Sequence, residues 1–390
     1  MPDFSPFAGL RYDTGRVSLD AVIAPPYDVV NAQERSQLAS RHRANAVLVE
    51  LPDEDRATGR DRYAQAAHLL ASWAEEGILR RDPEPALYVY RMAVPGGPAT
   101  TGVLGALGLT QGPAGILPHE QTLPKPKSDR LDLLRATRAN LSPIWGLSMA
   151  PGLSDLLHLD RTPDASATDD DGVSHQLWVV DDESTIAAVA AVVSSAPVVL
   201  ADGHHRFETA LAYEAEAPGA GADVVLALVV ELSERELAVG PIHRVLSGLP
   251  EGIDLVDAFS SWFDVTRVGD LDDRSEAAVS SGALALVASA GIWLLTARDG
   301  TLEAAGSDLD TSQVALVLAE LPEHELDFRY SAERAVAAVK AGECQAAVLV
   351  RPVTVEQIRA WAAAGRRMPP KSTYFFPKPR TGMVFRTLDG

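Results

Sequence analysis

The chain has 390 residues, 46% of them hydrophobic, and 54 acidic side chains against 34 basic ones give a formal net charge of −20. That length exceeds one ordinary core and sets two or three domains as the prior. The charge works against nucleic acid and anionic membrane as partners, and no helix-turn-helix or basic tail offsets it.

No apolar run reaches the roughly 18 residues of a membrane span. MPDFSPFAGLRYD lacks the basic-then-apolar pattern of a secretory signal, so a cytoplasmic protein is expected. Cys344 is the single cysteine, which excludes an internal disulfide framework and a cysteine-rich zinc site.

In chain order, AVIAPPYDVV reads as a strand-like run broken by Pro25-Pro26, which force extended or turn geometry on the residue before. AQERSQLASRHR reads as a helix and ANAVLVELP as a strand. DRYAQAAHLLASWAEEGIL repeats its apolar positions at Tyr63, Ala67, Leu70 and Trp73, the stripe of an amphipathic helix. ALYVYRMAV and GVLGALGLT flank PGGPATT and predict a hairpin. SDRLDLLRATRANL predicts a helix and SPIWGLSM a strand. The acidic, turn-rich stretch near 160–175 predicts an exposed loop or insertion. HQLWVVDD, TIAAVAAVVSS, APVVLAD and DVVLALVVEL then alternate strand and helix patterns. Past about Leu249, SGALALVASAG, IWLLTARDG and TLEAAG suggest short strands of a smaller α/β domain, followed by a helix, strand, helix pattern in 333–366. The alternation predicts an α/β (or α+β) fold, with one domain over 1–248 and a second over 249–390.

The densest chemistry lies in APVVLADGHHRFETALAY. A buried strand stops at Asp202 and Gly203 and turns at once into a helix. Glycine lets backbone approach a ligand, and a helix N-terminus offers N–H groups and a positive dipole end to an anion. His204, His205 and Arg206 fill the first turn, where Arg206 can add a fork of donors. A plain capping turn explains Asp202 but not the whole set.

A second cluster, LPHEQTLPKPKSDRLDLLRATRANLSP, gathers Lys125, Lys127, Arg130, Arg135 and Arg138 in an acidic chain, a local reversal of sign that suits phosphate or carboxylate. Arg130 and Arg138 are expected to share a helix face. Glu120 beside His119 is the general-base candidate of this segment, and Asp28 after the diproline is another acid. His243, after a covered strand, and Lys371, in RRMPPKSTYFFPKPRTG, are further candidates. That tail segment lacks the glycines of a phosphate loop. GxGxxG, HExxH, GxSxG and CxxC are all missing.

ADGHHRFETAL resembles the DGHHR-type motif of the ParB/sulfiredoxin-like nucleotide-binding fold, especially its free-serine kinases. FAGLRYD with IAPPYDVV, ILPHEQTLPKPKSDRLDLLRATRANLSPIWGL, the DGHHR block and MPPKSTYFFPKPRTG together resemble domain-of-unknown-function family 1015 over nearly the whole chain. The motif resemblance implies a ParB/sulfiredoxin-like core with insertions. It also implies that the turn and Arg206 hold nucleotide phosphates. The reading that follows is a nucleotide-dependent small-molecule kinase using Mg²⁺ with ATP or ADP. Glu120, Asp202 or His205 would be catalytic. Gly203, His204, Arg206, Lys127, Arg130 and Lys371 would bind phosphate, and Asp202 would hold the metal. Free serine as acceptor rests on resemblance alone. Two alternatives stay open: a metal-dependent phosphohydrolase with His204, His205, His243 and Asp202 as ligands, and a non-enzymatic nucleotide-binding regulator. The sequence sets no oligomeric state.

Overall fold

The computed structural model describes residues 2–110, 112, 115–120, 128–219, 221–271 and 282–389. They divide into a first unit, Met1–Ala238 with Arg359–Arg366 and Pro377–Gly390, and a second, Val239–Ile358 with Arg367–Phe376. The class is α/β.

In the first unit the strands are β1 Phe4–Ser5, β2 Leu10–Tyr12, β3 Leu79–Arg81, β4 Leu87–Ala93, β5 Ala99–Gly108, β6 Ile116–Pro118, β7 Ala139–Asn140, β8 Ile144–Ser148, β9 Ala165–Thr168, β10 Ser174–Val180, β11 Val198–Asp202 and β12 Val224–Glu231. The helices are α1 Leu19–Val22, α2 Ala32–Arg41, α3 Val47–Glu50, α4 Arg62–Glu75, α5 Ser128–Thr137, α6 Leu153–Leu156, α7 Glu183–Val193 and α8 His204–Glu216. The large sheet runs β6-β11-β8-β12-β5-β4-β10-β9, with β1 also on β5. It is mixed: β6/β11 and β8/β12 pair parallel, and the other neighbours pair antiparallel. β12, VVLALVVE, lies between two neighbours and is buried along its middle, as a near-continuous apolar run requires. One face carries Val198, Leu200, Val225, Ala227 and Val229 against Val189 and Val193 of α7 and Phe207 and Ala210 of α8. At about 25 cal/mol per Å² of apolar surface, such burial is the main favourable term holding the helices on the sheet.

The second unit is a six-stranded antiparallel sheet in the order Phe263–Gly269, Gly291–Ala297, Ala285–Ala288, Ala346–Leu349, His243–Ser247, Glu325–Arg329. Alternate residues feed two cores: Leu286, Ala346 and Val348 pack with Phe259 and Val314, whereas Ala285, Val287, Ala347 and Leu349 pack with Val336 and Val339. Cys344 is buried just before the Ala346–Leu349 strand, where desolvation raises its thiol pKa. No helix among the described residues is long and apolar enough to cross a membrane.

Four local expectations are corrected. AVIAPPYDVV is not strand-like: Leu19–Val22 is helical and Tyr27–Val29 a 3₁₀ turn, because the two prolines fix φ and remove donors. ANAVLVELP is not a strand. Asn45 Oδ1 accepts the Val47 N–H, and Val47–Glu50 turns as α3 with Val47, Val49 and Glu50 buried, so packing overrides the β preference of valine. Thr301–Ala305 in TLEAAG is a helix. The acidic stretch near 160–175 is not simply an exposed loop: β9 pairs with β10, burying Ala165 and Ala167.

Asp169, at the end of that stretch, anchors a buried polar network. It accepts from Arg380 Nε at 2.8 Å and from His175 Nε2 at 2.9 Å. His175 Nδ1 accepts from Tyr90 Oη at 2.7 Å, and Tyr90 Oη accepts the Arg380 N–H at 3.2 Å. Burial acts to raise the Asp169 carboxyl pKa, but His175 and Arg380 outweigh it and hold the group well below the usual carboxylate range. Asp169 is 7% exposed and Arg380 10%. Asp169→Asn leaves the buried Arg380 with only the exposed Asp171 as an ionic partner and is expected to cost the first unit about 3 kcal/mol in urea unfolding; a loss under about 1 kcal/mol contradicts this account.

Candidate functional site

The site is assembled where strand ends meet. Because β6 and β11 run parallel, with Pro118 opposite Leu200, their C-terminal ends lie side by side and bring His119 next to Ala201 and Asp202. β8 runs antiparallel to β11 and sets Pro143 and Ile144 under the same turn. Gly146 permits this approach, since a Cβ there would lie 2.5 Å from Val198 Cγ1.

Gly203 is the pivot. It sits at the N-cap of α8 with φ +86°, in the left-handed region, so no side chain caps the helix. A Cβ would also meet Ile144 Cα at 3.1 Å and Arg206 Cζ at 3.2 Å. The chain therefore needs glycine both for its backbone angle and for space.

Asp202 stands between two cations. Lys378 Nζ donates to Asp202 Oδ1 at 3.0 Å and to Asp28 Oδ2 at 2.8 Å. Arg206 Nη2 donates to Asp202 Oδ2 at 2.8 Å, while its Nη1 donates to the Pro143 carbonyl. Burial pushes the Asp202 carboxyl pKa up, but Lys378 and Arg206 outweigh it and leave the group lowered. Burial alone would lower the Lys378 pKa; Asp202 and Asp28 instead raise it. Arg206 is raised likewise, with Asp202, Asp28, Tyr27 and Glu50 outweighing its desolvation.

His119 is buried, and its Nδ1 donates to the Leu200 carbonyl at 2.5 Å. Its Nε2 lies 3.8 Å from Glu120 Oε2, and its ring centre is 5.3 Å from that of His204. Burial lowers its pKa against the pull of Glu120, so the ring is neutral near pH 7. Glu120 is 16% exposed, and His205 lies half-buried in the first turn of α8.

Arg130 reaches the neighbourhood from α5. Its Nη1 donates to the Glu50 carbonyl oxygen at 2.7 Å, its Nη2 to Asp129 at 2.7 Å, and its guanidinium lies 4.5 Å over the Tyr27 ring. A cavity of about 50 Å³ opens there, lined by Glu50, Arg130, Asn140, Ser142, Arg206 and Thr209 among others.

Asp28, His119, Glu120, Asp202, Gly203, His204 and Arg206 thus share the β11–α8 turn, with Arg130 beside it. Other candidates have other settings. Arg138 does not share a helix face with Arg130: it follows the end of α5 with φ +48° and holds Asp389 at 2.5 Å and Tyr213 Oη at 3.1 Å. His243 belongs to the second unit, where its buried Nδ1 accepts the Val350 N–H at 3.2 Å and burial, with Arg244, lowers its pKa to about 4. Lys371 is also in the second unit, with φ +59° and its ammonium 6.0 Å from the Phe328 ring centre. Lys127 falls outside the described residues.

Lys378 and Glu50 were not singled out by sequence. The signal for Lys378 was present: Pro377-Lys378-Pro379 repeats the Pro124-Lys125-Pro126 pattern of the basic segment. Glu50 gave none, standing inside the apolar run ANAVLVELP.

A metal at Asp202 does not fit. Both carboxylate oxygens are engaged by Lys378 and Arg206, and no group of three or more His, Cys, Asp or Glu among the described residues could hold an ion. The four-ligand set of a metallohydrolase is therefore not assembled there.

A family model described as "Protein of unknown function (DUF1015)" matches residues 4–319. No curated protein matches the chain. Among solved structures it is similar to a conserved hypothetical protein from Pyrococcus furiosus (TM-score 0.38, 16% identity, covering 70% of this chain and 92% of that one). It is also similar to a free serine kinase in complex with AMP (0.38, 17%, 67% and 83%). A third similarity is to SbnI with C-terminal truncation from Staphylococcus aureus (0.38, 12%, 72% and 86%).

Two outcomes are expected at the turn. Gly203→Ala combines left-handed strain with backbone crowding and should cost about 1–3 kcal/mol in chemical denaturation. Lys378→Met removes the cation shared by two carboxylates and should cost about 2–3 kcal/mol near pH 7, reduced from the fully buried case because the carboxylates are partly exposed. Asp202 sits below its unfolded value of about 3.9, so its pairing stabilises above that pH and is lost as pH falls through the folded value. Stability measured between about pH 5 and pH 2 should therefore fall less steeply in Lys378→Met than in the natural chain.

Proposed function

This chain belongs to the DUF1015 family of proteins of unknown function, and we propose that its β11–α8 turn is the phosphate-handling centre of a nucleotide-dependent phosphotransferase acting on a small hydroxyl compound. One observation carries the reading: in a chain of net charge −20, Lys378 and Arg206 converge on a glycine turn at the start of a 13-residue helix. Helix N–H groups, a close-approach glycine and fixed cations are the parts phosphoryl transfer draws on, because its transition state asks for positioning and charge stabilisation rather than covalent chemistry.

Each residue has a role in this reading. Gly203 admits the phosphates to the backbone. Arg206, held by Asp202 and the Pro143 carbonyl, keeps the turn in shape and supplies positive potential. Lys378, 13% exposed, carries the charge that moves from carboxylate to phosphate when nucleotide enters. Asp202 and Asp28 hold that ammonium until then. His119, neutral and fixed by the Leu200 carbonyl, lies beside Glu120 at the rim of the turn. Mg²⁺ enters this reading only as a counter-ion arriving with the nucleotide, and no step here runs through it.

The DGHHR resemblance chooses the trial ligands. Thermal unfolding of the full chain with ATP, ADP, CTP or pyrophosphate, each with and without Mg²⁺, should show a rise with at least one, since a ligand of the native state raises apparent stability. Phosphorus NMR with that nucleotide and free serine, then glycerol, should show a new phosphate monoester. Lys378→Met should slow its formation by about 10²–10³-fold. A rise without any ester identifies a nucleotide-binding regulator instead. No rise with any of the four removes the phosphate site altogether.

A further inference from the structure

Two residues that line the cavity beside the turn each carry a polar atom that the protein leaves unsatisfied. Glu50 Oε2 and Arg206 Nε are both buried, and neither finds a hydrogen-bond partner among the described residues. Both residues line the same cavity of about 50 Å³. Glu50 is 3% exposed. Orphaned buried groups cost about 1–3 kcal/mol each, and more when charged, so a pair of them around one space calls for an explanation. They are also complementary: Nε–H is a donor and the carboxylate oxygen an acceptor. A hydroxyl satisfies both, because its oxygen can accept from Arg206 while its proton points at Glu50.

We propose that this cavity is the acceptor subsite of the phosphotransfer read above, and that it takes a hydroxyl compound of only a few heavy atoms, with the hydroxyl between Arg206 Nε and Glu50 Oε2. The inference rests on that functional reading and deepens it. Arg206 joins the two halves: one nitrogen of its guanidinium faces Asp202 of the phosphate turn, and another belongs to the orphaned pair. The volume has room for a few water molecules, which admits a small alcohol or a free hydroxy acid and rejects a peptide.

Glu50 is also placed to receive the proton. As the step proceeds, the acceptor O–H bond breaks with its proton passing to Glu50 Oε2. The oxygen bonds to the phosphorus, and the bond from phosphorus to the bridging oxygen breaks, leaving its electron pair on the departing nucleotide. Asp202 is ill-suited to this role, since it does not line the cavity and its Oδ2 is held by Arg206. Desolvation raises the Glu50 carboxyl pKa, although Arg130, Arg206 and a hydrogen bond from the Ser142 hydroxyl pull it down; Asp28 and Tyr27 complete its charged and titratable surroundings. A raised carboxyl is a stronger base.

The test measures nucleotide thermal shift and phosphoryl transfer separately in the full chain. Glu50→Gln keeps the shape and removes the base. Its nucleotide shift should stay within error of the natural chain, its transfer to serine or glycerol should fall by about 10²–10⁴-fold, and the acid limb of the kcat–pH profile should vanish. Val225→Leu, which adds one methylene to the cavity wall, should raise the acceptor KM tenfold or more with the nucleotide shift unchanged; it carries the test if Glu50→Gln does not fold. A serine-containing tripeptide should not be phosphorylated. Unaltered acceptor KM and pH profile in the folded variants would mean the cavity holds only water, and would overturn the subsite while leaving the function standing. No transfer by the natural chain to any hydroxyl compound removes both.

Discussion

One ammonium group, that of Lys378, organises the site. It lies within 3.0 Å of Asp202 and 2.8 Å of Asp28, two partly exposed carboxylates on different elements that would otherwise repel one another. The segment that carries it, Pro377–Gly390, belongs to the first unit. Thr381 exchanges backbone hydrogen bonds with Ala24 and meets the Ser142 hydroxyl. Phe385 bridges to Leu10, and Arg386 bonds Asn140 and the carbonyls of Gly221 and Val224. Each contact fixes another stretch of this segment, and together they hold Lys378 to a single place. Arg380, two residues on, ties the same segment to the buried Asp169 of the acidic stretch.

The turn that faces Lys378 is fixed from the other side by the sheet. Parallel pairing of β6 with β11 brings two C-terminal strand ends together, and antiparallel β8 supplies the floor. Only glycine fits at 203, so α8 begins there without a side-chain cap. A protein selected for stability alone would cap that helix and fill the adjoining cavity. Here an uncapped helix, an unpartnered glutamate oxygen and an unpartnered guanidinium nitrogen occur within one neighbourhood. Local rules of stability are broken most readily where function demands it.

Charge has opposite signs at two scales. The whole chain is strongly acidic, which disfavours long-range attraction of a nucleotide. Any affinity for phosphate must come from short-range contacts within the turn, where screening by water is weaker than at the surface. Among the described residues, the cations there are engaged by carboxylates or carbonyls: Lys378 by Asp28 and Asp202, Arg206 by Asp202 and Pro143, Arg130 by Asp129 and Glu50. On the proposed reading, an incoming phosphate would exchange partners instead of meeting naked charge.

The sequence by itself determined what short-range physics can write. The strand–glycine–helix at Val198 to Glu216, the β4/β5 hairpin and the amphipathic α4 were all legible, because alternation, helical spacing and turn residues act within a few positions. The tertiary structure decided what depends on distant partners. Whether Val47–Glu50 turns or extends is set by Asn45 and by burial, not by the β preference of its valines. Arg138 leaves the face of Arg130 because α5 ends one residue earlier and Asp389 awaits it. Most of all, the lysine that meets Asp202 is Lys378, whose other partner, Asp28, lies 350 positions away along the chain. No local pattern can rank Lys378 above Lys371, since both sit in the same basic, aromatic segment. Only packing brings a particular ammonium to a particular carboxylate.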